Sequence, residues 1–152
     1  MKRKPVLFDP VNDGVDHINV YSKGQTELGR LLSNFPHTPF EHPSYGNFAS
    51  MEAYYYWLAS GMRHDWLKPL YGFKAKEIGR GCDKVYCEHF DQLLYEGLEC
   101  KVGQNDHIRI LLTDSVLPLA HYYVYGGKPL DGGHSWLTDG LMDIRNRLKS
   151  ES

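Results

Sequence analysis

Apolar positions along this chain recur mostly in helical steps, and alternate in the manner of a strand only briefly. The clearest stripe is Leu137, Leu141, Ile144 and Leu148, which predicts a closing helix. Phe90, Leu93, Leu94 and Leu98 define another over about Val85 to Lys101, and Ile108, Leu111 and Leu112 a short one capped by Asn105 or Asp106. Ser50 is a good N-cap for Ala53-Tyr54-Tyr55-Tyr56-Trp57-Leu58, and Gly61 offers a stop. A further short helix is predicted from Phe73 to Arg80. Alternation is confined to Ile18-Asn19-Val20-Tyr21, a short strand, while Pro118 to Tyr125 reads as extended. Pro36, Pro39 and Pro43 predict an irregular, ordered loop from Ser33 to Tyr45, and Gly126 to Gly133 a glycine-rich loop. Residues 1–16 carry Pro, Asp, Asn and Gly and predict an extended N-terminal arm, leaving one domain over residues 17–152. The expected class is mainly α with a few short β-strands (α+β), in a single compact domain.

A chain of 152 residues can bury a core of its own, and its hydrophobic fraction of 41% is ordinary for a globular protein. The formal net charge of -2 gives no global positive field for nucleic acid, although a local basic cleft is compatible with it. The longest apolar runs, Ile110-Leu111-Leu112 and Val116 to Ala120, are far too short to span a membrane. The start is basic, but Asp9, Pro10, Asn12 and Asp13 follow where a signal peptide needs apolar residues, so a cytoplasmic protein is expected. Cys82, Cys87 and Cys100, even with His89 nearby, lack the C-x-x-C pairing of structural zinc sites. Buried or idle thiols are the better reading, and neither metal nor cofactor is expected.

Glu52 is the carboxylate of most interest, because it falls in the first turn of the Ser50 helix, directly after an irregular loop. The positive end of the helix dipole is expected to hold it ionised, fit to act as a base or to support a cationic sugar. A first-turn Glu that merely stabilises its helix is the more ordinary reading of the residue by itself. The glycines of Tyr125-Gly126-Gly127-Lys128-Pro129-Leu130-Asp131-Gly132-Gly133 suit a phosphate cradle with Lys128 as its charge, or a plain turn. Tyr54 to Trp57 surrounds one helical turn, so some rings belong to the core while others could stack a base. Arg145, Arg147 and Lys149 match the dipole of the last helix and need do nothing more.

Several stretches together resemble the NADAR (YbiA-like) family. Ile18-Asn19-Val20-Tyr21-Ser22 is similar to its opening I-N-F-Y-S, and Ser33-Asn34-Phe35 to its S-N-F signature. Phe48-Ala49-Ser50-Met51-Glu52-Ala53-Tyr54 resembles its W-P-T-S-E-H-Y entry to a helix, with one residue more before the Glu. Ala75 to Arg80 resembles A-x-x-x-G-R, Gly97 to Asn105 resembles A-L-x-x-K-F-x-Q-N, and Leu141 to Arg145 matches L-M-x-x-R. These elements run in family order over nearly everything after the arm. Departures are equally specific: Tyr56 stands for a Gln and Ala59 for a Lys. The acidic-x-x-W-G segment reads Tyr122-Tyr123-Val124-Tyr125-Gly126, and G-x-G-x-N becomes Asp131-Gly132-Gly133-His134-Ser135.

The resemblance implies a hydrolase that cleaves the N-glycosidic bond between a base and a ribose phosphate. It favours removal of ADP-ribose from modified guanine in nucleic acid. Alternatives are hydrolysis of a phosphoribosylamino-pyrimidine intermediate of riboflavin synthesis, or a non-catalytic module binding ADP-ribose or an NAD-like nucleotide. It makes Glu52 the catalytic carboxylate, with Asp131 a substitute acid. Arg80, Gly126 and Lys128 become phosphate contacts, Asn34 with Phe35 a ribose contact or loop anchor, and Tyr54 and Tyr125 base-stacking rings.

Overall fold

The computed structural model describes residues 5–151; residues 1–4, the basic start of the expected arm, lie outside the described residues. Contacts group the chain into two units, Met1–Ser33 with Ile110–Ser152, and Asn34–Arg109. The described residues form short strands among longer helices, the α+β architecture expected.

In the first unit, Pro10–Asn12 winds into a 3-10 turn whose cap is the Asp9 side chain, accepting from the Val11 N–H. Strand β1 (Ile18–Asn19) pairs in parallel with β4 (Leu119–Ala120). The Asn19 amide prolongs this ladder by copying a peptide: its Nδ2 donates to the Tyr122 carbonyl at 2.9 Å, and its Oδ1 accepts from the Tyr122 N–H at 3.0 Å. Helix α1 (Glu27–Leu32), capped by Thr26, has no counterpart in the predicted pattern. Six residues are too few for periodicity to register. Gly29 lies so close to β1 that a Cβ there would sit 2.3 Å from the Asn19 carbonyl oxygen.

Strands β5 (Tyr122–Tyr125) and β6 (Lys128–Asp131) correct the predicted glycine-rich loop. They form an antiparallel hairpin, Tyr125 opposite Lys128. Gly126 and Gly127 make its two-residue turn with φ of 57° and 76°, the left-handed pair such turns require. Helix α6 (Ser135–Glu151) buries Leu137, Leu141 and Ile144 as its stripe predicts. Arg145 does more than match the dipole: its Nη1 donates to the Leu117 carbonyl at 2.7 Å and to Ser115 Oγ at 3.0 Å.

In the second unit, β2 (Phe40–His42) and β3 (Gly46–Phe48) form a hairpin where proline predicted only loop. Pro39 and Pro43 flank β2 without entering it, so the ladder survives. Helix α2 (Met51–Ala59) starts at Ser50 as predicted, and α3 (Gly72–Arg80) follows a 3-10 turn at Asp65–Leu67. Helix α4 (Phe90–Gln104) begins five residues later than predicted. The N–H groups of Val85 and Tyr86 instead cap the Ala59 carbonyl at the end of α2, at 2.7 and 3.2 Å. His89, at φ 61°, sets the left-handed break before α4. Helix α5 (Asp106–Asp114) comes next in the chain.

Tyr54 ties this unit together. Its ring is fully buried, meets Phe48 and Phe40 edge-on at 4.8 and 5.5 Å, and its hydroxyl donates to the Leu93 carbonyl at 2.6 Å. A Cβ on Gly97 of α4 would come within 2.3 Å of that ring. We expect Gly97→Ala to lower the unfolding free energy by about 1–3 kcal/mol, the usual cost of overpacking a filled core. Denaturant titration measures it, and an unchanged midpoint would mean the contact is not tight.

Candidate active site

The N-terminus of α2 is buried, so its unpaired N–H groups need partners inside the protein. Ser50 Oγ accepts from the Ala53 N–H at 3.1 Å and donates to the Leu70 carbonyl at 2.9 Å. The Glu52 N–H donates to the Asn34 carbonyl at 2.9 Å, and the Gly72 N–H to the Phe35 carbonyl at 2.7 Å. Two irregular stretches, Asn34–Phe35 and Leu70–Gly72, are thereby fastened around the first turn of α2. Gly72 turns the chain there at φ 63°, a conformation that favours glycine.

Glu52 belongs to this clamped first turn. The residue is only 9% exposed, and burial pushes its carboxyl up to about 7 despite the pull of Lys76 in the other direction. This corrects the expectation of a carboxylate held ionised by the helix dipole. Dipole effects of about 0.3–1 kcal/mol are outweighed by loss of water around a buried charge. The ammonium of Lys76, from α3, lies 5.7 Å from the centroid of the Phe35 ring. Tyr55, next along α2, is pushed up to about 12 by burial, by Tyr86 and by the Glu52 charge. Among the described residues, Asn34 Oδ1 is the buried side-chain oxygen left without a hydrogen-bond partner. Leaving such an acceptor unpaired costs about 1–3 kcal/mol, and a hydroxyl or amine of a ligand would recover it.

Glu52, Asn34 and Phe35 thus come together, and Lys76 and Tyr55 join them. Lys76 escaped the sequence reading, although its place one turn before Arg80 on α3 was a signal for a shared helix face. Arg80 itself is exposed at the last turn of that helix. Tyr54 is not a base-stacking ring: it is fully buried with its hydroxyl engaged, a core residue. In the other unit, Gly126 belongs to the hairpin turn. Tyr125 is 58% exposed at the end of β5, Lys128 is exposed opposite it, and Asp131 Oδ1 accepts from the Gly133 N–H at 3.3 Å. That unit also holds a cavity of about 250 Å³ lined by Asp13, Asn19, Tyr21, Lys23 and Tyr122. None of the candidate site residues lines it, although Asn19 and Tyr21 of the I-N-F-Y-S-like stretch and Tyr122 do. Both oxygens of Asp13 are taken by the Asn19 and Gln25 N–H groups, which marks that carboxylate as structural.

No protein-family model and no curated protein matches the sequence. A solved structure does: the NMR structure of the E. coli protein YbiA is similar over 96% of this chain and 89% of its own, with a TM-score of 0.65 and 22% identity. The chain has the YbiA fold. At that identity the likeness concerns the path of the backbone, and the YbiA fold is here built on a largely different set of side chains. Among the described residues no helix is long and apolar enough to cross a membrane.

Glu52 offers a test of its environment that is independent of activity. Its folded pKa lies above that of an unfolded Glu, so the native state binds the extra proton. Stability is therefore greatest below the unfolded value of 4.5 and declines as pH rises toward about 7, by on the order of 3 kcal/mol in total. We expect Glu52→Gln to be more stable than the parent at pH 8.5 and nearly equal to it at pH 5. A residue serving only the helix dipole would give the opposite sign at high pH, a loss of about 0.3–1 kcal/mol. Urea denaturation at the two pH values distinguishes them.

Proposed function

We propose that this chain is a divergent N-glycosidase of the NADAR family, hydrolysing the bond between a nitrogenous base and C1 of a ribose phosphate, with ADP-ribose on guanine in nucleic acid as the favoured substrate. The observation that carries the reading is the buried Glu52, its carboxyl pushed up to about 7, in a helix turn bonded to the backbone of Asn34, whose buried Oδ1 has no partner. A base with a pKa near the working pH is best placed to take a proton in the transition state. The YbiA fold and the ordered run of family-like motifs support the same reading.

In this mechanism Glu52, ionised, removes a proton from water as its oxygen attacks C1. The C1–N bond breaks ahead of that attack, its electron pair leaving on the base nitrogen, which takes up a proton from solvent. Between the two events the sugar carries oxocarbenium-like positive charge, as in other glycoside hydrolyses. Asn34 Oδ1 accepts a hydrogen bond from a ribose hydroxyl. Lys76 supplies positive charge for phosphate and, through its attraction for Glu52, keeps the base from becoming too weakly acidic for neutral pH. Arg80, on the same helix, is the second phosphate candidate.

The test is release of sugar phosphate from two substrates, ADP-ribosylated guanine in DNA and a phosphoribosylamino-pyrimidine. We expect kcat/KM on the preferred one to rise with pH and level off above about 7, because only the deprotonated base works. Glu52→Gln should lower turnover about 100-fold or more while ligand still binds. Lys76→Ala should move the rising limb to higher pH, since the group that lowers the Glu52 pKa is gone. A near-normal rate in Glu52→Gln would remove this residue from the chemistry and leave Asp131 as the next acid to test. Tight ADP-ribose binding with no base released would replace hydrolysis by recognition.

A further inference from the structure

Helix α3 buries a narrow stripe, Ala75 and Gly79, against its neighbours. The large ring of Phe73 lies off that stripe and is 67% exposed, and Tyr71, the N-cap residue, is 51% exposed. Neither ring is needed to fill a core. Tyr71 is nevertheless held in a set orientation, stacked on His37 with centroids 4.7 Å apart and planes 24° from parallel. Its backbone is fixed as well, between the bonds from Ser50 to Leu70 and from Gly72 to Phe35. The same two bonds close the Glu52 clamp, so this ordered, solvent-facing ring pair stands at its edge. Past the rings, Lys76 and Arg80 stand one turn apart on the side of α3 that carries Phe73, with one acid, Glu77, on the helix, in a chain whose net charge is -2.

We propose that Tyr71, backed by His37, and Phe73 form a stacking platform for unpaired bases, and that α3 follows the phosphates of a single-stranded nucleic acid leading to the Glu52 site. The placement relative to Glu52 rests on the glycosidase reading; the binding surface itself does not. Flat rings with free faces accept any base, and neighbouring cations accept the backbone, which is how single strands are held without sequence preference. A duplex keeps its base faces stacked on one another and offers only phosphates, so this surface discriminates against it. The local cations also reconcile an acidic chain with a polyanionic ligand, because the field that matters is that of the patch.

Fluorescence anisotropy with a labelled single-stranded 12-mer DNA tests this on the full chain. We expect binding that weakens with salt, and a loss of about tenfold or more in affinity for each of Tyr71→Ala and Phe73→Ala. Tyr71→Phe and Phe73→Tyr, which keep the rings, should bind like the parent and serve as folding controls. Replacing Lys76 and Arg80 together by Ala should make the salt dependence shallower by roughly one unit in log–log slope, in proportion to the phosphates released. Glu52→Gln should bind the 12-mer unchanged; if it does while base release proves absent, the surface stands and the glycosidase reading falls. Binding indifferent to the ring substitutions, equal affinity for a duplex of the same length, or equal affinity for a mononucleotide would each overturn the proposal.

Discussion

Everything distinctive about the second unit follows from one constraint, that the first turn of α2 is buried and its N–H groups must be satisfied there. Had this helix begun at the surface, water would have served them. Instead Ser50 and the Asn34 carbonyl do so, and each partner brings a stretch of irregular chain with it. The loops on either side are consequently ordered without being helix or strand. Removing water from the helix start also removes it from the residue that happens to be there. The loss of solvation at Glu52 is thus a by-product of how α2 is packed, and the chemistry proposed for it makes use of a cost that the fold already bears.

Much of this architecture could be read from residue order. Ser50 was recognisable as a cap because its hydroxyl precedes a long apolar turn, and α6 because Leu137, Leu141 and Ile144 keep helical step for about two turns. What escaped has physical reasons. The β2–β3 hairpin has three residues a side, too short for alternation to show, and its prolines fall just outside the strands. The β5–β6 hairpin was hidden by its glycines, which serve a turn as readily as a phosphate cradle; composition cannot separate the two, whereas strand register does. The start of α4 depended on Val85 and Tyr86 being drawn to the end of α2, a long-range bond that no local pattern contains.

The candidate site was legible in part. Glu52, Asn34 and Phe35 are two short stretches of sequence, and their meeting depends on a single backbone hydrogen bond. The protonation behaviour of Glu52 was misjudged because proximity to a helix end is visible in sequence and burial is not. Lys76 was missed for the same reason: its neighbours Ala75 and Glu77 say nothing about a carboxyl on another helix. Tyr54 shows the converse error, a ring that looks available on a helical wheel but is enclosed by the hairpin that proline had concealed.

The order in which the two units occur along the chain bears on how the molecule is made. The second unit is continuous, Asn34–Arg109, so all of its contacts can form as soon as its last residue leaves the ribosome. The first unit is assembled from two separated stretches: β1 waits for β4, and α6 is synthesised after both. Pairing Ile18 with Leu119 across an unstructured chain would demand a large loop-closure entropy. If the intervening residues have already folded, most of that entropy has been surrendered beforehand. Synthesis from the N-terminus therefore favours a sequence of events in which the segment carrying Glu52 is native while β1 and its neighbours are still searching for their partners.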